Sequence, residues 1–164
     1  MEETIEYLAQ ENGDVVQLVC FRLAEEEYAV DITCVQEVIR IQNVTNVPQM
    51  PEFVLGVINL RGNIVPVFDL RMAFQLPQKP FDDHTKILVL NVDGVSFSII
   101  VDEILDNVKL EAYQIDPAPS IKLKMDRECI RGLGEVGERM IIILDTTVVL
   151  DVIGRAIDSN RELV

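Results

Sequence analysis

Short apolar runs interrupted by turn residues dominate this sequence, and the pattern is typical of β-strands rather than of long helices. Pairs of neighbouring runs predict antiparallel hairpins. The predicted strands cover residues 16–23, 28–32, 57–60, 64–68, 86–92, 95–101 and 140–144. Near the C-terminus the apolar positions follow helical spacing, which predicts a helix that is capped by Asp145 or Thr146 and ends near Gly154.

One hairpin carries a residue that its turn does not need. The strands at 57–60 and 64–68 are separated by Arg61, Gly62 and Asn63. Gly62 or Asn63 is expected to supply the positive φ of a tight turn. Arg61 at the tip has no such role, so its side chain is available for another purpose.

The sequence contains an internal repeat in which three blocks recur in the same order. Residues 35–38 resemble residues 101–104 at an offset of 66. Gly56 recurs as Gly132 at an offset of 76, and residues 64–70 recur as residues 140–146 at the same offset. Because such self-similarity is the signature of a repeated structural unit, it predicts two copies of one module. The change of offset predicts about ten extra residues in the second copy, near 111–128.

The repeat predicts an all-β fold that is mainly strand, with short helices and a C-terminal helix. Each copy, about 15–80 and 85–150, is expected to form a five-stranded β-barrel, since closing the sheet removes its edges. Neither copy buries much surface alone, so the two are expected to pack closely within one domain, 15–152. Outside it we expect an acidic N-terminal tail, residues 1–14, and a C-terminal tail or helix end, residues 153–164.

Composition excludes several classes of function. A net charge of −14 argues against binding nucleic acid or an anionic membrane surface, both of which need basic patches. Cys20, Cys34 and Cys129 are irregularly spaced, which predicts free thiols in a reducing cytosol rather than disulfides or a metal site. Residues 1–14 hold five acidic residues and no basic ones, unlike a signal peptide, and no apolar run is long enough to span a membrane. No cofactor is expected.

Catalysis finds little support in the residues. His84 is the single histidine and lies in a predicted linker, and no nucleophile–base pair has motif spacing. Asp69 and Asp145 occupy equivalent positions after apolar runs, which favours a role as caps of the helices that follow. Two alternatives stay open: a small hydrolase that uses Asp69 and Asp145 as paired carboxylates, and an acidic barrel that binds a small ligand.

Two charged residues stand among apolar neighbours. Glu37 is expected on a short helical turn over residues 34–38, and Arg61 lies at the hairpin tip. A guanidinium there can bind a partner carboxylate in a bidentate manner, or bind Glu37 itself. The residues alone therefore predict a binding module of two β-units.

Two blocks of the sequence resemble the CheW family of chemotaxis coupling proteins. The first combines Val35-Gln-Glu-Val38 with the run from Val54 to Arg71, which contains Asn-Leu-Arg-Gly-Asn-Ile-Val-Pro-Val-Phe-Asp-Leu-Arg. The second combines Ile130-Arg-Gly-Leu-Gly134 with Glu138-Arg-Met-Ile-Ile-Ile-Leu-Asp145. The resemblance covers about 15–152.

The resemblance implies a fold and a function. The fold is two intertwined five-stranded barrels, and the function is that of a cytoplasmic adaptor which links methyl-accepting chemotaxis receptors to the histidine kinase CheA in an array. A groove between the barrels would bind the receptor tip, and a barrel end would bind the kinase's regulatory domain. An adaptor of a pilus-linked or other chemosensory pathway is the alternative. The implied receptor-binding residues are Val35, Glu37, Gly56, Arg61, Val101 and Ile104, and the implied kinase-binding residues are Arg131, Gly132 and Leu133.

Comparison of the two copies bears on Arg61. The positions equivalent to Arg61 and Gly62 are Gly137 and Glu138. A purely structural requirement would be expected in both copies, so the sequence predicts that Arg61 serves a partner.

Overall fold

The computed structural model describes residues 15–117 and 125–162, which fold into two β-sheets and two α-helices. The predicted acidic tail, residues 1–14, lies outside the described residues. The strands are β1 (Val15–Leu23), β2 (Glu26–Asp31), β3 (Val35–Arg40), β4 (Val54–Leu60), β5 (Asn63–Phe68), β6 (Lys86–Val92), β7 (Val95–Val101), β8 (Glu103–Glu111), β9 (Ile115–Asp116), β10 (Ile130–Val136) and β11 (Arg139–Leu144). The helices are α1 (Leu70–Ala73) and α2 (Thr146–Glu162), and short 3-10 turns cover Ile32–Cys34, Ala112–Gln114 and Arg127–Cys129. No helix in the described ranges is both long and apolar enough to cross a bilayer.

The predicted mainly-β fold is confirmed, but one sheet has a sixth strand and neither sheet is closed. One sheet has six strands in the order β8-β1-β2-β11-β10-β9, and the other has five in the order β3-β6-β7-β5-β4. Neither order returns to its first strand, so the prediction of closed five-stranded barrels is wrong at the level of backbone hydrogen bonds.

Each sheet combines the first hairpin of one half with the later strands of the other half. β1 and β2 pair with β8 and β11, whereas β6 and β7 pair with β3 and β5. Apart from the additional β9 at the end of the six-stranded sheet, the strand orders are the same once equivalent strands are matched, and both sheets contain one parallel pair at the same place. This agreement confirms the internal repeat. The exchange of hairpins between the sheets intertwines its two halves.

The strand register corrects one offset of the repeat. Val38 pairs with Leu88, and the equivalent pair in the other sheet is Asn107 with Val19. Asn107 lies 69 residues after Val38, and Leu88 lies 69 residues after Val19. The predicted offset of 66 for this block is therefore wrong, and the structural counterpart of Val35 is Ile104. The offset of 76 holds for the later strands, because Asp69 and Asp145 donate their backbone N–H groups to the carbonyls of Phe53 and Cys129, both over 2.8 Å.

The segment that contains Glu37 is a strand and not the predicted helical turn. The helical turn ends earlier, at Ile32–Cys34, where the Asp31 carboxylate accepts a hydrogen bond from the backbone N–H of Thr33 over 2.9 Å. From Val35 onward the chain pairs with β6, and its side chains alternate between half-buried and exposed. Packing against a neighbouring strand thus outweighs the local preference for helix.

Helix α2 continues beyond the predicted end at Gly154. Its apolar face, including Val149 and Ile153, is buried against the largest core cluster. A glycine within a helix costs about 1 kcal/mol relative to alanine, and burial of this face is sufficient to offset it.

The core has three parts. A cluster from all five strands of the five-stranded sheet includes Ile39, Ile58, Val67, Val89 and Ile100. A second cluster fills the concave face of the six-stranded sheet, and the largest lies between the sheets and under α2. Because every strand contributes to its own sheet's cluster, each sheet curls around an apolar interior although its ladder stays open.

Candidate functional site

Glu37 and Arg61 form an ion pair across the open side of the five-stranded sheet. Glu37 lies on β3, the first strand in the sheet order, and Arg61 lies in the turn that follows β4, the last strand. Curling of the sheet brings these ends together, and the guanidinium donates to the carboxylate. The Arg61 side chain is 74% exposed and that of Glu37 is 21% exposed. The pair thus presents one well-held cation at the surface.

The turn itself gives no reason for an arginine. Arg61 has φ 52° and Gly62 has φ 90°, and the side chain of Asn59 accepts a hydrogen bond from the backbone N–H of Gly62 over 2.8 Å. Gly62 supplies positive φ as predicted, but Asn63 does not, and Arg61 takes that role. Left-handed backbone costs a side-chain-bearing residue about 1–2 kcal/mol relative to the usual conformation. Arg61 therefore stands at a position whose backbone conformation favours Gly or Asn.

The second sheet has an arginine bridge at an equivalent place. Arg139 on β11 donates to Glu27 on β2 at 2.7 Å and to Asp106 on β8 at 2.7 Å. Asp106 is the counterpart of Glu37 at the offset of 69. These hydrogen bonds lower the pKa of the Asp106 carboxyl and raise that of the Arg139 guanidinium.

The second bridge shows that both halves of the repeat contain an arginine at this place, and not only the first. Gly137 and Glu138 are indeed at the second tip, but Arg139, two residues after the position equivalent to Arg61, links the corresponding strands. An arginine–carboxylate bridge is therefore a recurring structural device. What distinguishes Arg61 is its exposure, since Arg139 is only 34% exposed and is held by two carboxylates.

Gly56 and Val101, two of the predicted receptor-binding residues, are buried. A Cβ on Gly56, which has φ 143°, would lie 2.0 Å from the carbonyl oxygen of Thr45. Thr45 exchanges backbone hydrogen bonds of 2.9 Å with Val57, so the chain crosses directly over Gly56. Val101 has no exposed surface. Gly56 on β4 and Val101 on β7 therefore offer no contact surface to a partner.

Val35 and Ile104 are half-buried and pack against the core cluster between the sheets. As counterparts in the repeat, they come from β3 and β8, the first strands of the two sheet orders. They supply apolar surface near the boundary of the two halves.

The three residues predicted to bind the kinase lie on β10, with different exposure. Arg131 is exposed and lies 3.7 Å from an Asp31 carboxylate oxygen. Gly132 is buried, and a Cβ there would lie 2.7 Å from the carbonyl oxygen of Asp116, because β9 crosses it. Leu133 is also buried. Arg131 alone of the three offers a charged side chain to a partner.

Asp69 and Asp145 act as helix caps, as favoured from the sequence. Asp69 accepts a hydrogen bond from the backbone N–H of Arg71 over 2.9 Å, and Asp145 accepts one from that of Val148 over 3.1 Å. Asp69 is also bound by the Arg71 guanidinium, through both carboxylate oxygens. No group of three or more potential metal ligands is found in residues 15–117 and 125–162.

Arg71 forms a buried network that sequence reasoning missed. Besides Asp69, its guanidinium donates to Asp102 over 3.0 Å and to the backbone carbonyl of Lys79 over 2.9 Å. The other oxygen of Asp102 accepts from the backbone N–H of Ala24 over 2.9 Å. The only signal in the sequence was the charged end of the apolar run at 64–70, which does not reveal a partner far away in the chain.

Comparison with known proteins shows the family to which the chain belongs. A family model for the CheW-like domain matches residues 17–153. The chain belongs to the CheW-like family. It is 41% identical over 129 residues to the chemotaxis protein CheW of Klebsiella aerogenes, a match that covers 79% of this chain and 78% of that protein. It is 31% identical over 135 residues to the CheW of Helicobacter pylori, covering 82% of this chain and 81% of the relative.

A solved structure gives the same result. The scaffolding protein TtCheW from Thermoanaerobacter tengcongensis superposes with a TM-score of 0.74 at 33% identity, covering 79% of this chain and 84% of that one. The chain is thus a scaffold protein of chemotaxis and not an enzyme. The hydrolase alternative is wrong for this reason. The small-ligand alternative finds no support, because apolar side chains fill the concave face of each sheet.

Proposed function

We propose that this chain couples chemotaxis receptors to the histidine kinase CheA on the cytoplasmic side of the membrane, as a non-catalytic member of a signalling array. Membership of the CheW-like family is the observation that carries the proposal. The receptor-binding surface is formed by Arg61 and Glu37, with apolar contacts from Val35 and Ile104. Gly56 and Val101 support it from below.

The apolar and the charged residues of this surface have different roles in binding. Half-buried Val35 and Ile104 suit the apolar stripe of a receptor helix. The Arg61 side chain is largely exposed while Glu37 holds its guanidinium in place, so Arg61 adds orientation and selectivity. Arg131 on β10 contributes to a separate contact with the kinase's regulatory domain, with Gly132 and Leu133 as its scaffold.

Co-sedimentation of the chain with receptor signalling fragments and with the kinase tests the proposal. The chain is expected to pellet with each partner separately and to bring them together in a ternary complex. Absence of binding to both partners would overturn the proposal. Binding to a pilus-linked receptor and kinase, with no binding to those of chemotaxis, would instead support the alternative pathway.

A charge-swap series separates contact from structural support at Arg61. Arg61→Glu is expected to weaken receptor binding at least tenfold, about 1.4 kcal/mol, by losing the partner contact and repelling Glu37. The double variant Glu37→Arg with Arg61→Glu restores the internal pair but not the surface charge. If Arg61 contacts the receptor, the double variant stays weak in binding while its melting temperature recovers. Recovery of binding would limit Arg61 to a structural role.

A further inference from the structure

Arg61 and Arg139 differ in the number of carboxylates that hold their guanidinium groups. In the six-stranded sheet, the same nitrogen of Arg139, Nη2, donates to both Glu27 and Asp106, each over 2.7 Å. In the five-stranded sheet, Glu37 is the one carboxylate that pairs with Arg61 within the part of the chain that the structure describes. The two bridges are therefore not equivalent, because Arg61 lacks a second carboxylate.

The residue that stands in the place of Glu27 is Ser96. The two are counterparts at the offset of 69. The strand register agrees, because Glu27 pairs with Arg22 beside the β1–β2 turn and Ser96 pairs with Asn91 beside the β6–β7 turn. The serine hydroxyl has neither the charge nor the reach of a glutamate side chain. The chain thus provides no carboxylate at this place in the five-stranded sheet.

A β-bulge places Glu37 and its counterpart Asp106 in the same way. Val35 packs against the core cluster between the sheets, whereas Ile39, four residues later, packs inside the five-stranded sheet. Residues an even number apart share a face of a regular strand, so the register shift between Val35 and Glu37 reverses the alternation. On β8, Ile104 and a residue four positions later contact different clusters for the same reason. The geometry of the carboxylate on this strand is therefore common to both halves.

Ser96 belongs to a neutral network beside the Glu37–Arg61 pair. Its hydroxyl donates to the amide oxygen of Gln36 over 2.9 Å and accepts from the amide nitrogen of Asn91 over 3.1 Å. Gln36 is exposed, whereas its counterpart Leu105 packs against the core cluster of the six-stranded sheet. None of these groups carries a charge, so the network does not offset the charge of the Arg61 guanidinium.

We propose that a carboxylate of the receptor binds Arg61 in the place that Glu27 takes at Arg139, and that Ser96 determines specificity because it supplies no carboxylate there. The inference rests on the proposed receptor contact and adds the chemistry of the partner group, an aspartate or glutamate side chain. One guanidinium nitrogen already holds two carboxylates at Arg139, so Glu37 and a partner carboxylate are compatible at Arg61.

The net charge of the chain does not prevent this contact. A charge of −14 repels an acidic partner at long range. At an ionic strength of about 0.15 M, however, exposed charges more than about 8 Å apart are largely screened. The guanidinium at the surface therefore decides the interaction with a carboxylate at hydrogen-bonding distance.

Ser96→Glu supplies the second carboxylate from within the chain. It is expected to bind Arg61 as Glu27 binds Arg139, and so to compete with the receptor. Ser96→Gln is the matched control, because it has the same length without the charge and loses the same hydrogen bonds to Gln36 and Asn91. Isothermal titration calorimetry with a cytoplasmic signalling fragment of a receptor is expected to show binding to Ser96→Glu at least about tenfold weaker than to Ser96→Gln.

An Arg61→Gln background separates competition for Arg61 from general repulsion. In that background, Ser96→Glu and Ser96→Gln are expected to bind the fragment with affinities within about twofold of each other. On the receptor side, each aspartate or glutamate of the fragment is changed to its amide. One such change is expected to weaken binding to the natural chain at least about tenfold and to have no effect on binding to Arg61→Gln.

Three results would overturn the inference while the receptor still binds the natural chain. One is equal affinity of Ser96→Glu and Ser96→Gln, and another is the same tenfold difference in the Arg61→Gln background. The third is a receptor fragment in which no carboxylate depends on Arg61. Circular dichroism melting verifies that each variant is folded. A natural chain that does not bind the fragment at all would overturn the proposed receptor contact as well, so the two failures are distinguishable.

Discussion

Gly56, Arg61 and Gly62 all have positive φ and lie in one hairpin, but for different reasons. Gly62 was predictable as the turn residue because only a small set of residues adopts that conformation easily. That Arg61 also has positive φ was not predictable, since arginine has no preference for it. The need for Gly56 arises from Thr45, which the sequence does not place beside it.

Gly56→Ala is expected to destabilise the fold by at least about 3 kcal/mol, because the added methyl group overlaps the Thr45 carbonyl and forces a backbone shift. Urea denaturation measures the loss. Gly62→Ala is the matched control: its φ is also positive, but nothing lies within 4 Å of the added Cβ, so a loss of only about 1 kcal/mol is expected. Equal losses would remove steric crowding as the reason for Gly56.

Two buried thiols make stability depend on pH in the alkaline range. Burial raises the pKa of Cys20 and of Cys129 from 9.0 to about 11. Above pH 9 the unfolded chain releases these protons while the folded chain keeps them, so stability falls as the pH rises toward 11. The full loss is about 2–3 kcal/mol for each thiol.

Unfolding by urea at pH 8 and pH 10.5 tests this expectation. The double variant Cys20→Ala with Cys129→Ala is expected to be less stable at pH 8 because of lost packing, but to lose less between the two pH values. A pH-dependent loss of the same size in both proteins would show that the thiols do not cause it.

Elements with a strong local sequence pattern were predicted correctly, whereas elements whose structure depends on packing against distant segments were not. The hairpins β4–β5 and β6–β7 follow from apolar runs and Gly-containing turns. β3 was predicted as a helical turn because its apolar spacing is ambiguous over so few residues. α2 was predicted to end near Gly154, since the sequence does not show that Ile157 still packs against the core cluster.

Gly154→Ala is expected to stabilise the chain by about 0.5–1 kcal/mol, because alanine restricts the unfolded backbone and its methyl group meets no neighbour. Thermal melting measures the gain. Ala156, which is exposed on the same helix, provides the reverse control, since Ala156→Gly is expected to cost a similar amount. A loss of stability in Gly154→Ala would show that the backbone at this position is not regular helix.

The whole molecule depends on the exchange of hairpins between its halves and on one buried guanidinium. Arg71 joins Asp69 of the first half to Asp102 of the second, and Asp102 joins the β1–β2 turn at Ala24. Both sheets contain strands from both halves. The Arg71 network adds hydrogen bonds that connect three further points of the chain, at Asp69–Arg71, Asp102 and Ala24. It has no counterpart in the repeat, where the residue equivalent to Arg71 is Thr147.

Arg71→Met is expected to destabilise the fold by about 3–5 kcal/mol, because it leaves two buried carboxylates without their cation. Replacing all three charges, with Asp69→Asn, Asp102→Asn and Arg71→Met together, is expected to recover much of that loss, since asparagine keeps the helix cap. Urea denaturation of both variants provides the test. A triple variant no more stable than Arg71→Met would show that the specific hydrogen bonds, and not the unpaired charges, determine the cost.

The sequence by itself determined the mainly-β class, the presence of a repeat, and the helix caps Asp69 and Asp145, whereas the role of Arg61 toward a partner stays a prediction. These depend on local patterns: period-two burial, turn chemistry and capping. Only the tertiary structure decided which strands pair, why Gly56 must lack a side chain, and that Arg139 repeats the bridge made by Arg61. Those features are contacts between residues far apart in the chain. A local pattern cannot encode them, because strand pairing is satisfied equally well within a half or between halves until the whole core is packed.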